Sequence, residues 1–154
     1  MTGMHADITL SDDPVRLDRA RIHGWLASSY WSPGIARALV DRAIDGSHCL
    51  GAYRNGAQIG FARMITDHAT FAWLSDVWVD DAARGAGLAR RMVQWFLDHP
   101  DFQGIRRIGL TTLDAHGVYA PLGFRSPRKP DRYMERLDPA FDTLLNGEET
   151  SPHD

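Results

Sequence analysis

Apolar residues recur along this chain in two kinds of pattern, and segments with one pattern are interspersed with segments with the other. Alternating or continuous apolar runs are typical of strands, and spacings of three and four residues are typical of amphipathic helices. A short strand is predicted around Ile8 and Leu10. Two helices are predicted next, one carrying Val15, Ile22 and Leu26 and one carrying Ile35, Leu39, Val40 and Ala43.

Punctuating residues predict where these two helices begin and end. Asp13 is a common N-cap residue and Pro14 is favoured in a first turn, so the first helix is expected to begin there. Gly46 is expected to end the second helix, because glycine tolerates the positive φ of many helix ends. Between the two helices lies a break at 28–34, which contains Tyr30 and Trp31.

Three strand-like runs, 48–53, 58–65 and 70–79, fill the middle of the chain. Asn55-Gly56 joins the first two, and Asn-Gly between apolar runs predicts a tight antiparallel hairpin. After the third run, a helical pattern that includes Met92 and Phe96 ends at Pro100, and a strand is predicted at 105–112. Because a helix separates 70–79 from 105–112, these two strands are expected to pair in parallel.

The last elements predicted are a short helix from Asp114, as its cap, through Tyr119, and a final strand at 133–137. The fold class is therefore mixed α/β (α+β). A single domain is expected over residues 1–137, followed by a polar tail over 138–154 that is expected to fray.

Composition narrows the class of protein. A chain of 154 residues is long enough for one sizeable core. Its net charge of −3 argues against nucleic acid as a partner, since that binding requires a basic surface. No apolar run is long enough to predict a membrane span. The single cysteine, Cys49, fits a reducing compartment and is expected to be a buried structural thiol. We therefore expect a cytoplasmic protein.

A glycine-containing turn at 84–89 carries the clearest chemical signal. It lies between the strand that ends at Val79 and the next helix. A turn of this kind leaves backbone N–H groups unpaired at a helix N-terminus, where the helix dipole also favours an anion. A phosphate or pyrophosphate ligand is therefore expected.

Two known phosphate motifs do not fit this turn. A P-loop requires Lys followed by Ser or Thr, where this chain has Leu88 and Ala89. A dinucleotide fingerprint requires a third small residue where this chain has Arg90.

Arg84-Gly-Ala-Gly87-Leu-Ala89 instead resembles the signature of the GNAT (general-control-related N-acetyltransferase) superfamily at every fixed position. Tyr119-Ala-Pro-Leu-Gly-Phe124 resembles a second segment of that family, and the order of predicted elements is also similar.

The resemblance implies a fold and a donor. The fold would be a mixed central sheet, with antiparallel N-terminal strands, a parallel pair splayed at the acetyl-CoA site and about four flanking helices. The donor would be acetyl-CoA, with no metal required, and the reaction would be direct acetyl transfer to a primary amine. The residues that the resemblance assigns to acetyl-CoA are Val77, Trp78, Val79, Arg84, Gly85, Ala86, Gly87, Leu88, Ala89 and Thr112.

The catalytic groups follow the family pattern only in part. Tyr119 matches the family position that protonates the departing thiolate. The glutamate that many relatives carry would fall at Trp73 or Ser75, neither of which ionises. Asp76 is the one carboxylate on its strand and is the candidate for a base or an amine-binding group, although a structural aspartate is an equal alternative. Strict alternation would place Ser75 with Val77 and would place Asp76 on the opposite face.

The acceptor is expected to be a small-molecule or peptide amine. Its pocket would be formed by Tyr30, Trp31, Trp73 and Ser75. A degenerate domain that binds acyl-CoA without turnover is the alternative function. The length of the acyl group is open, and relatives often form homodimers.

Overall fold

The computed structural model describes residues 7–150, with side chains described as far as residue 146. Within that range, five strands form one sheet in the order β1-β2-β3-β4-β5. The strands are β1 (Ile8–Ser11), β2 (His48–Arg54), β3 (Ala57–Thr66), β4 (Phe71–Val79) and β5 (Arg107–Gly109). The helices are α1 (Arg19–Ala27), α2 (Arg37–Asp45), α3 (Leu88–Asp98), α4 (His116–Tyr119) and α5 (Pro139–Thr150). None of the described helices is long and apolar enough to cross a membrane.

The predicted pairing of the strands is confirmed. Strands β1 to β4 are antiparallel to their neighbours, and β5 pairs with β4 in parallel. The β2–β3 hairpin turns at Asn55 and Gly56, with φ of 52° and 79°. Positive φ at both central residues is the geometry that makes Asn-Gly a strong hairpin signal.

Helices cover both faces of the sheet. Helix α3 buries Leu88, Met92, Val93 and Phe96 against a cluster that includes Leu50, Ala62 and Leu74. Helices α1 and α2 bury Ile22, Leu26, Val40 and Ile44 against Cys49 and Phe61. Successive residues along β2, and likewise along β3, thus enter different cores, because successive side chains of a strand point to opposite faces of the sheet. The result is a three-layer α/β/α domain.

The first helix begins later than predicted. Asp13 does act as a cap, accepting a hydrogen bond from the Val15 N–H at 3.0 Å, but the 3₁₀ turn it opens ends at Arg16. Helix α1 then begins after Asp18, whose N–H is held by the buried Gln58 side chain at 2.7 Å. Because this contact breaks the helix, Val15 is 89% exposed and does not enter the core. Gly46 does end α2, but with a φ of −93°, so the expected positive φ was wrong.

The C-terminal third differs most from the prediction. Strand β5 is only three residues long, and 133–137 forms no strand. A short β5 offers little free edge for a further strand to pair with. Asp114 does not cap α4, which is preceded by Ala115 and has no side-chain cap.

Helix α5 was not predicted from the pattern. Its first turn is capped by the Asp138 carboxylate, which accepts hydrogen bonds from the N–H groups of Ala140 and Phe141. The helix lies within the segment expected to be a frayed tail, of which 151–154 fall outside the described residues. The division of the chain at residue 137 stays a prediction.

Candidate active site

A cleft opens where β4 and β5 separate. Strand β5 pairs with β4 only from Phe71 to Trp73, whereas β4 continues to pair with β3 as far as Val79. The far half of β4 therefore has a free backbone edge. Beside this edge lies a cavity of about 1230 Å³, whose walls include the 84–90 turn, the 111–115 segment after β5 and the 28–32 loop.

The glycine turn borders this cleft and contains a row of unpaired N–H groups. Gly85 and Gly87 have φ of 85° and 75°, and Gly87 precedes α3 without a side-chain cap. Within the described residues, no backbone or side-chain acceptor pairs with the N–H groups of 85–90. Unpaired donors at the start of an 11-residue helix form a site suited to an anion. This geometry agrees with the phosphate ligand expected from the sequence.

Arg84 is anchored beside the turn. Its Nε donates to the Val79 carbonyl at 3.0 Å, and its guanidinium forms an ion pair with Asp81 and lies 5.4 Å from the ring centre of Trp78. Arg90, which also lines the cleft, supplies a second cation there. The positive charge at the turn thus comes from two arginines rather than from Arg84 alone.

A β-bulge reverses the predicted faces of β4. The register runs from Arg63↔Ser75 to Phe61↔Trp78, so β4 contains one residue more than β3 in this interval. Asp76, at the bulge, has a positive φ of 54°. The extra residue brings Ser75 and Asp76 to the same face, because both contact Arg63. The strict alternation expected from the sequence is therefore wrong beyond Ser75.

Contacts on either side of the bulge confirm the change of face. Val77 and Val79 pack with Leu74 against the α3 core. Trp78 contacts Trp31, with ring centres 5.8 Å apart. A bulge of this kind re-aims side chains next to a site, and it leaves no obvious trace in an apolar run.

Asp76 holds the 28–32 loop against the sheet. One carboxylate oxygen accepts from Trp31 Nε1 at 2.9 Å and the other from Arg63 Nε at 2.7 Å. The side chains of Asp76 and Arg63 are only 9% and 14% exposed, and Arg63 also donates to Ser47 Oγ. Both oxygens thus accept a hydrogen bond from a neighbouring side chain, and these two bonds fix the orientation of the carboxylate. This arrangement favours a positioning role, and the role of Asp76 as a base stays a prediction.

The predicted acceptor residues come together on one side of the cleft. Tyr30, Trp31, Trp73 and Ser75 all line it. The rings of Tyr30 and Trp31 meet edge to face at 5.0 Å. Thr112 also lines the cleft, and its hydroxyl accepts a hydrogen bond from the Ala115 N–H at 2.9 Å.

Tyr119 lies at the flank of the cleft and not among its lining residues, although the preceding Val118 does line it. Its ring packs against the α3 core and meets Phe124 edge to face. Burial raises the pKa of the Tyr119 phenol above its ordinary value, and the proximity of Tyr30 and Asp114 raises that pKa further. The phenol therefore stays protonated at neutral pH and can act as a proton donor.

The sequence did not single out two contributions to the cleft. Asp114 is, with Asp76, one of the two carboxylates that line it within the described residues. Its position after the parallel strand β5 could have indicated this, since ligands gather at the carboxyl ends of parallel strands. Phe141 and Leu145 of α5 also line the cleft. No signal pointed to them, because α5 itself was not predicted.

A diverging strand pair and a glycine turn with unpaired N–H groups at a helix N-terminus thus border one cleft of this α/β domain. The sequence model described as the Acetyltransferase (GNAT) domain matches residues 45–126. A candidate acetyltransferase from Gibberella zeae is 30% identical, with 81% of this chain and 83% of the relative covered.

Solved structures agree with the family match. A candidate acetyltransferase of the GNAT family from Xanthomonas campestris pv. campestris is 45% identical, with a TM-score of 0.83 over 86% of this chain and 94% of the other. An acetyltransferase candidate from Clostridium acetobutylicum, solved with acetyl-CoA, shares the fold at 17% identity and a TM-score of 0.66, over 84% and 96% of the two chains. The chain therefore belongs to the GNAT family of acetyltransferases.

The ion pair between Arg63 and Asp76 predicts that its loss destabilises the fold more than the loss of an exposed ion pair does. Arg63→Gln leaves a buried carboxylate without its cation, and we expect unfolding in urea to show a loss of about 3–5 kcal/mol. The matched variant Arg37→Gln breaks an exposed pair with Asp41 and is expected to cost less than about 1 kcal/mol. Equal losses in the two variants would contradict the structural role assigned to Asp76.

Proposed function

We propose that this acetyltransferase uses acetyl-CoA as its donor. The observation that carries the proposal is the row of unpaired N–H groups at 85–90, which borders the cleft and suits the pyrophosphate of coenzyme A. The free edge of β4, with Val77 and Val79, provides backbone groups that can pair with the amides of the pantetheine arm. Trp78, Leu88, Ala89 and Thr112 border the same path. The 85–90 amides and the β4 edge follow each other in the same order as the pyrophosphate and the pantetheine arm of coenzyme A.

The proposed acceptor is a primary amine of a small molecule or peptide. The aromatic residues Tyr30, Trp31 and Trp73 form a wall that suits a cationic or flat acceptor before it loses its proton. Asp114 is a cleft carboxylate for which the described residues show no ion pair, so it can attract the ammonium form. Since Asp76 is engaged by Trp31 and Arg63, proton removal is proposed to pass to water near Asp114.

The proposed transfer is direct. The neutral amine attacks the thioester carbonyl carbon, a tetrahedral intermediate forms, and the carbon–sulfur bond then breaks. The Tyr119 hydroxyl, at the flank of the cleft, donates its proton to the departing thiolate and regains one from solvent, to which the amine loses its own proton. A covalent acetyl-cysteine step is disfavoured, because burial raises the pKa of the Cys49 thiol to about 12. Cys49 is the single cysteine of the chain.

One observation favours a second candidate function. No free carboxylate lies on β4, since Asp76 is held at both oxygens, and a domain without a base could bind acyl-CoA without turning it over. The single cysteine of the chain is buried and unpaired, as is usual in a reducing compartment, so we further propose that the protein acts in the cytoplasm.

A thiol-release assay separates the two functions. With acetyl-CoA and a panel of small amines and lysine-containing peptides, we expect amine-dependent release of free coenzyme A, with the acetylated acceptor identified by mass spectrometry. Tight acetyl-CoA binding without turnover across the panel would favour the binding module. Failure to bind acetyl-CoA at all would contradict both.

Tyr119→Phe is expected to lower kcat by about 10²–10⁴-fold, because the variant lacks the proton donor. The affinity for acetyl-CoA, measured by calorimetry, should stay unchanged. The wild-type rate should rise with pH as the acceptor amine loses its proton, and it should fall again at alkaline pH, above the raised pKa of the phenol. That alkaline fall should be absent in the variant. Tyr133→Phe, which alters an exposed tyrosine, is the matched control and should behave as wild type. Full activity in Tyr119→Phe would remove the residue from the mechanism.

A further inference from the structure

Histidines and carboxylates from four separate segments meet at the end of α3 that lies farthest from the cleft. His48 begins β2, His68 lies in the β3–β4 turn, and His99 follows α3. Asp12 follows β1, and Asp101 lies in the connection between α3 and β5. Since α3 has 11 residues and is about 16 Å long, this cluster is well separated from the glycine turn at the other end of the helix.

The hydrogen bonds of His48 determine which of its nitrogens is free to bind a ligand. His48 Nε2 lies 2.9 Å from a carboxylate oxygen of Asp12. An ionised carboxylate only accepts hydrogen bonds, so Nε2 carries the proton and Nδ1 of the neutral ring carries the lone pair. A histidine that donates one N–H to a carboxylate and offers its other nitrogen is the usual arrangement of a metal-binding imidazole.

Two further ligand atoms surround that lone pair. His68 Nε2 lies 2.9 Å from His48 Nδ1. Asp101 completes the group, because one ligand atom from each of His48, His68 and Asp101 lies within 4.8 Å of the other two. Imidazole nitrogens and a carboxylate suit zinc and neighbouring transition metals, which they bind at about 2.0–2.2 Å.

From this arrangement we propose a divalent transition-metal site, with Zn²⁺ as the preferred ion, ligated by His48 Nδ1, His68 Nε2 and Asp101. Asp12 orients His48 from behind. His68 and Asp101 are exposed, so water can reach the ion and complete a fourth position. In the absence of metal, the short contact between His48 and His68 is held by one shared proton, which the ion replaces.

The surroundings of His48 hold its ring in the required orientation. Phe96, Phe102 and Trp95 contact it, with ring centres 5.3 to 6.1 Å away. A ligand already fixed in place loses little conformational freedom on binding. Asp12, His48 and His68 also line a cavity of about 590 Å³, which gives an ion a path from solvent.

A competing set of ligands would be Asp12, His48 Nε2 and His99, which also lie within 4.8 Å of one another. His99 Nδ1, however, accepts a hydrogen bond from the Asp101 N–H at 3.1 Å. The proton of the neutral ring therefore lies on Nε2, the nitrogen that faces Asp12. A metal on His99 Nε2 would move this proton to Nδ1, and the hydrogen bond from the Asp101 N–H would then break. We therefore favour His68 and Asp101 as ligands.

The site would tie together the start of β2, the β3–β4 turn and the connection between α3 and β5. A metal that binds the folded state alone stabilises it. Its role is therefore structural. The inference does not rest on the proposed acetyl transfer, since none of these residues lines the cleft.

The test uses the full chain, freed of metal with a chelator and without a histidine tag. Calorimetry with Zn²⁺ should show one-to-one binding, the melting temperature should rise with Zn²⁺, and Co²⁺ should give visible d–d absorption bands. His68→Gln and Asp101→Asn should each weaken Zn²⁺ binding by at least about tenfold, and Asp12→Asn by about 10–100-fold. The control Asp98→Asn, on the exposed face of α3, should bind as wild type.

His99→Gln distinguishes the two sets of ligands. Unchanged Zn²⁺ affinity in this variant, together with the losses above, supports the proposed set. Loss of binding in His99→Gln with binding retained in His68→Gln would overturn it, as would the absence of one-to-one binding in the wild type. Circular dichroism of the metal-free variants checks that each is folded, so a loss of affinity is not a loss of structure.

Discussion

Strand β4 pairs with β3 as far as Val79 but with β5 over only three residues, and the site depends on this difference. The second half of β4 keeps a free backbone edge along the cleft, where its polar groups need a ligand or water as partners. The glycine turn that follows β4 adds six unpaired N–H groups at the start of α3. Both features leave hydrogen-bonding capacity unused on the same side of the cleft, which is what an extended, phosphorylated donor requires.

The bulge at Asp76 links this edge to the acceptor side. Because it adds a residue, β4 turns Asp76 and Trp78 toward the 28–32 loop while Val77 and Val79 stay in the core. The carboxylate then secures Trp31 and Arg63 in one network. The residue that looked most like a base from the sequence is therefore engaged in holding the pocket wall in place. Of the two carboxylates that line the cleft within the described residues, Asp114 is the one with no ion pair.

The features that could be predicted from the sequence are those determined by local chemistry. Asn55-Gly56 adopts the positive φ angles of its hairpin, and the face of α3 follows its apolar spacing. The turn around Gly85 and Gly87 leaves N–H groups unpaired before α3, as expected. The failures involve contacts between distant residues. Gln58 interrupts the first helix, the register with β3 creates the bulge, and β5 ends early because the chain turns away toward the cleft. Helix α5 depends on Asp138 as a cap, which a polar, low-periodicity segment did not reveal.

Helix α3 separates two regions of different chemistry. Its N-terminus meets the glycine turn and the cleft, and its C-terminus leads to His99 and the cluster around His48. The first region is suited to an anion and the second to a cation, in agreement with the direction of the helix dipole. A metal at the second region would stabilise the fold, whereas the first region is where we propose that the donor binds.

The central claim, that the turn amides hold the donor through its pyrophosphate, is tested most directly by amide NMR with coenzyme A. In a ¹⁵N-labelled sample, we expect the largest chemical-shift changes at residues 85–90, with further changes along Val77–Val79. Pantetheine, which lacks the pyrophosphate, should leave 85–90 unshifted and should bind far more weakly. Shifts confined to other regions, or equal binding of pantetheine and coenzyme A, would contradict the claim.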